Sequence, residues 1–167
     1  MLKRETRILG LSGTTRNRRT IIATVVFRGS LWLDGVSTAI IEEKERNLNL
    51  KIANLIKNSK QFSQLHAIII SQRLTSNRPI SIHELAQRLK LPVIEISTPH
   101  KITRRGNASV KKFSIAVGGK TVTATAAGAD ITQAQGLYKV GCSPHSKVPE
   151  AVRIADLLIK ELSRKFK

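Results

Sequence analysis

Few residues in this sequence could do chemistry: four histidines, one cysteine and a large excess of lysine and arginine. His66, His83, His100 and His145 lie far apart, and none has a second ligand at metal-binding spacing. His66 opens an apolar run and reads as a structural residue. Cys142 stands beside Ser143, Pro144 and His145 without a nucleophile signature, so it reads as a bystander thiol. A lone cysteine also excludes an intrachain disulfide and a cysteine-based zinc site. Gly118-Gly119-Lys120 lacks the earlier glycine and the following helix of a phosphate-binding loop. No metal and no cofactor is expected.

Phosphate suits the remaining groups better. Segment 14–20, Thr-Thr-Arg-Asn-Arg-Arg-Thr, combines hydroxyls, an amide and guanidiniums, which meet phosphates through charge-assisted hydrogen bonds. Segment 101–107 has the same chemistry in Lys101, Thr103, Arg104, Arg105 and Asn107.

The whole chain points the same way. Of 167 residues, 29 are Lys or Arg and 11 are Asp or Glu, a net charge of +18 that calls for a polyanionic partner. The basic residues cluster. Lys3, Arg4, Arg7, Arg16, Arg18 and Arg19 face one acid, Glu5. Segment 96–129 holds Lys101, Arg104, Arg105, Lys111, Lys112 and Lys120 with no acid. Near the other end, Lys160, Arg164, Lys165 and Lys167 surround Glu161. The acids bunch instead at Glu42, Glu43 and Glu45. Only six aromatic residues occur, too few for a base-stacking platform or an amphipathic membrane helix. No run of apolar residues is long enough to span a membrane, and no secretory signal follows Met1. A cytoplasmic protein without a membrane partner is expected, and 41% hydrophobic residues suffice for a core.

Elements must hold these groups in place. Residues 7–11 read as a first strand ending at Ser12-Gly13, residues 21–27 as a second and 31–38 as a third, together an antiparallel meander. Leu48, Ile52, Leu55 and Ile56 recur at helical spacing. Residues 65–70 form a central strand that ends at Ser71-Gln72. Ser81 and Glu84 have the spacing of a capping box before a helix. Another strand covers 92–96, and a basic surface loop covers 97–107. Residues 113–117 and 121–125 alternate around Gly118-Gly119, a β-hairpin. Asp130 opens a short helix, and Pro149 opens a last one. The result is a single α/β domain over residues 1–167, with a mixed sheet, an added hairpin and a C-terminal helix.

This order resembles the ribonuclease H-like fold, and more narrowly the archaeal endonuclease V relatives called the endonuclease dU group. Matching residues include Arg7 to Leu11, Val26-Phe27-Arg28-Gly29-Ser30-Leu31-Trp32-Leu33-Asp34-Gly35, Ile56 to Lys60, Leu65 to Ile70, Leu91 to Ile94, and Val148-Pro149-Glu150-Ala151-Val152-Arg153-Ile154-Ala155. The resemblance implies carboxylates at the ends of two core strands, holding a divalent metal for phosphodiester cleavage. Here the first position is Ser12, and the second strand ends in Ile70-Ser71-Gln72. A histidine implied in the last helix is replaced by Asp156, and Asp34 alone stays in place. Serines are weak ligands for a hard cation. Asp34 and Asp156 are therefore expected to be vestigial: the first capping a turn, the second facing solvent or pairing with Arg153. A metal held between the two is the competing expectation.

The expected function is a non-catalytic RNA-binding protein on a nuclease-derived fold, ribosomal or ribosome-associated, with ribosomal RNA and neighbouring ribosomal proteins as partners. The alternative is a metal-dependent endonuclease acting on deaminated DNA. A DNA-coating chromatin protein lacks an evident groove-reading helix. The interface is expected on the old substrate face, using the arginine segments and both basic ends, with Glu42, Glu43 and Glu45 in solvent or on protein.

Overall fold

A computed structural model describes residues 5–76, 78–97 and 109–166. β1 (Arg7–Arg16), β2 (Arg19–Arg28) and β3 (Trp32–Glu42) form the antiparallel meander. After helix α1 (Leu48–Lys57), β4 (Leu65–Ile70) pairs parallel to β1. The chain continues through α2 (Gln72–Thr75), α3 (Ile82–Leu89) and β5 (Val93–Ile96), which is parallel to β4. The hairpin of β6 (Val110–Val117) and β7 (Lys120–Ala127) follows, then α4 (Ile131–Gly141) and α5 (Glu150–Lys165). The strand order is β3-β2-β1-β4-β5-β7-β6, with β7 antiparallel to β5.

Helices cover both faces of the sheet. Ile52, Ile56, Leu85 and Leu89 pack with Leu9, Leu11, Ile68 and Ile70 on one side. Ala134, Leu137, Tyr138 and Val152 pack with Ile8, Ile69 and Ile94 on the other. That is why Ile68, Ile69 and Ile70 can be consecutive and fully buried: a parallel strand between two layers needs no polar face. Each such side chain contributes roughly 1.5–3 kcal/mol of burial.

Helix α5 lies across β1 and β2 and runs parallel to β1. Ala151 sits over Gly10, Asp156 meets Ser12, and Arg16 Nη1 donates to the Ser163 carbonyl at 3.0 Å. A Cβ on Gly10 would overlap the backbone of Ala151 and Val152, so the approach of helix to sheet requires glycine there.

Two expectations are corrected. The first strand does not stop at Ser12-Gly13; it pairs with β2 without a break as far as Arg16 opposite Arg19. Sheet pairing outweighs the local turn preference of that dipeptide. The chain reverses at Asn17 and Arg18, both with positive φ (48° and 61°), the backbone of a two-residue primed turn. Segment 14–20 is thus the tip of a hairpin rather than a loop. Second, Ser71 is the N-cap of the short helix α2, accepting a hydrogen bond from Arg73 N–H, and not merely the end of a strand.

Candidate nucleic-acid interface and the carboxylate between two serines

The C-terminal end of β4 lies beside the middle of β1, with Leu11 opposite Ile70. The next residues, Ser12 and Ser71, are fully buried. Both aim their hydroxyls at one oxygen of Asp156 from α5: Ser12 Oγ donates to Oδ1 at 2.5 Å and Ser71 Oγ at 2.7 Å. Arg73 Nε lies 3.8 Å from the same oxygen. Ser71, Gln72, Arg73, Ser76 and Asp156 line a cleft of about 330 Å³. Asp156 does not pair with Arg153; that guanidinium binds Glu150 through two hydrogen bonds, at 2.9 and 2.7 Å, which raise its pKa.

These residues do not fit a hard divalent cation. One carboxylate is present, two hydroxyl donors and a neighbouring guanidinium already engage one of its oxygens, and the other groups are neutral. Among the described residues no set of three His, Cys, Asp or Glu side chains converges.

Asp34 is elsewhere. It lies at the bulge of β3 where Val26 pairs with Gly35 and Phe27 with Leu33, beside the start of β1. Arg7 Nε donates to Oδ2 at 2.8 Å and Arg28 Nε to Oδ1 at 2.9 Å. Burial by itself would raise its pKa, but the hydrogen bonds from Arg7 and Arg28 and their charge outweigh burial and lower it. Five residues of strand separate Arg7 from Ser12, about 16 Å. Asp34 therefore clamps two arginines rather than capping a turn, and it cannot share a metal with Asp156.

The basic residues divide between places. Arg16, Arg18 and Arg19 sit at the hairpin tip, beyond Ser12 on the same end of the sheet. The last turn of α5, with exposed Arg164 and Lys165, reaches that end too, since Ser163 contacts Arg16. Arg73 and Arg78 join them: Arg78 Nη1 donates to Thr20 Oγ1 at 3.2 Å. The sequence reading missed both, although segment 46–83 that holds them is also free of acids, because its basic residues are spread along the segment rather than bunched. Lys111 and Lys112 are exposed on edge strand β6, four strands away from β1. Lys3, Arg4, Lys101, Arg104, Arg105 and Lys167 lie outside the described residues. The acidic edge is not a separate surface. Arg19 Nε lies 3.1 Å from Glu42 and Arg18 Nε 3.9 Å from Glu43, so it sits against the hairpin tip.

Three further groups have structural surroundings. His66 Nδ1 accepts the Arg7 N–H at 3.1 Å. Burial, then the Glu150 carboxylate, push the Cys142 thiol up to about 12, leaving it protonated and inert at neutral pH. Tyr138 is buried and donates its hydroxyl proton to the Lys147 carbonyl.

The family model described as endonuclease dU matches residues 4–163. The chain belongs to the endonuclease dU family. A UPF0215 protein of Methanosarcina acetivorans is 29% identical over 115 residues, 68% of this chain and 59% of that protein. The chain thus spans about three fifths of that relative's length. A protein of unknown function from Archaeoglobus fulgidus has a similar structure, with a TM-score of 0.74, 18% identity, and coverage of 94% of this chain and 98% of that one. The Bacillus subtilis endonuclease V structure gives 0.63 at 12% identity, covering 96% and 82%. The fold of this endonuclease dU family member is accordingly ribonuclease H-like, as the order of elements implied.

Proposed function

We propose that this chain is a non-catalytic nucleic-acid-binding protein on a nuclease-derived fold. The observation that carries the reading is the cluster where the end of β4 meets Ser12 of β1. Two buried serines hold one carboxylate where metal chemistry would need several, and Arg16, Arg18, Arg73, Arg78 and Arg164 gather at the same end of the sheet. Guanidiniums around a floor of little negative charge favour phosphate as a bound group rather than a cleaved one. Structured RNA is the preferred partner because aromatic side chains are scarce, and ribosomal RNA is the specific candidate on composition. Family membership favours a second reading, a metal-dependent endonuclease on deaminated DNA.

A cleavage assay separates the two. Inosine- or uracil-containing DNA incubated with the protein and Mg²⁺ or Mn²⁺ should stay intact, while structured RNA is retained. Cleavage that disappears in Asp156→Ala would overturn the proposal. Co-sedimentation of the native protein with ribosomal particles tests the narrower assignment.

A further inference from the structure

The two edges of the sheet are built differently. The β6 edge carries Lys111 and Lys112, a common protection against strand addition. The β3 edge has no lysine or arginine along its eleven residues and exposes Trp32, Leu33, Val36 and Ile40 at 65, 56, 51 and 47%. Among the described residues nothing pairs with its outer side.

The phase of the ladder shows what that side offers. Glu43 N–H donates to the Arg18 carbonyl at 2.8 Å, so odd-numbered residues here bond to β2. The N–H and C=O groups of Val36, Thr38 and Ile40 therefore point away from the sheet. Leu33, Val36 and Ile40 also share a face, because they oppose Phe27, Val25 and Ile21. That face is the one α5 covers over β2, and the helix stops short of β3. Leu157 of α5 is itself 48% exposed.

We propose that β3 pairs antiparallel with β3 of a second copy of this chain, making a two-fold dimer with a continuous sheet. Three features select a second copy. An antiparallel strand pair is isologous, so one edge satisfies itself. The two-fold keeps both apolar stripes on the same face, each beside the other copy's α5. Charge also fits: a chain of net charge +18 repels its copy almost everywhere, but this strand is free of basic residues. Antiparallel pairing brings the Glu42 end of one strand toward the Asp34 end of the other, and each carboxylate is already neutralised within its own copy, Glu42 by Arg19 and Asp34 by Arg7 and Arg28.

Sedimentation velocity on the full chain should show a species of twice the 18.4 kDa chain mass. Val36→Lys with Ile40→Lys, both at exposed positions, should give a monomer with an unchanged circular dichroism spectrum. Ser114→Lys with Ala116→Lys on β6 should leave the dimer intact. Hydrogen exchange at the Val36, Thr38 and Ile40 amides should be slow in the wild type and at least about tenfold faster in the β3 variant. A wild-type monomer at its highest soluble concentration, or a dimer that survives the β3 lysines, overturns the proposal. Should that variant fail to fold, fast wild-type exchange at these three amides overturns it instead.

Discussion

Asp156 and Asp34 show how one residue type takes two unrelated tasks. Asp156 satisfies two buried hydroxyls, one from β1 and one from the N-cap of α2, far apart in sequence. Asp156→Ala should destabilise the fold by about 1–3 kcal/mol, because Ser12 and Ser71 lose a charged acceptor. Asp156→Asn keeps an acceptor oxygen and should lose less; urea unfolding midpoints would rank the two. Asp34 titrates below its ordinary value of 3.8, so its ion pairs stabilise the fold at higher pH. Asp34→Asn should cost about 1 kcal/mol at neutral pH, since Arg28 is partly exposed and screened. The difference should shrink as pH falls below 3.8 and through the lowered folded-state value, leaving variant and wild type alike in strong acid. Parallel unfolding series across pH would show whether the curves converge.

Elements explain which positions tolerate change. Gly10→Ala should destabilise by about 1–3 kcal/mol, because the added methyl must push α5 from β1 and the backbone of Ala151 cannot swing aside. A lowered denaturant midpoint with unchanged slope would identify packing as the cause. Locally encoded elements were legible in the sequence. Gly118 and Gly119 supply the positive φ of the β6–β7 turn, Ser81 accepts from Glu84 N–H, and Asp130 caps α4 through Gln133 N–H. The capping box is only half formed, since the Glu84 carboxylate binds Asn49 and Arg88 instead. What was not legible depended on distant chain. Ser12-Gly13 reads as a turn until β2 pairs with it, and the Ser12–Asp156 contact joins residues 144 apart. Arg73 and Arg78 look like scattered surface charges until α2 turns beside the β1–β2 hairpin.

Across the whole molecule, charge is compensated unevenly. Arg18 and Arg19 are exposed, yet Glu43 and Glu42 stand next to them. Glu42→Gln with Glu43→Gln should tighten RNA binding by freeing two arginines, whereas Arg18→Glu with Arg19→Glu should weaken it. The charge-reversed protein should also show a shallower salt dependence, by roughly 0.7–0.9 log units per lost phosphate contact. Binding isotherms at several salt concentrations would test both signs; equal slopes for all three proteins would remove the hairpin tip from the interface. The placement of α5 has a further consequence, in the timing of synthesis. The underside of β1 and β2, including Ile21, Val25 and Phe27, is covered by residues from Ala151 onward. On the order of ten seconds of translation separate the two at ordinary elongation rates. Throughout that interval the nascent hairpin carries an apolar face with nothing to bury it. Its final packing is thus a late event, and a stalled chain ending before Glu150 would be a client for chaperones rather than a smaller folded protein.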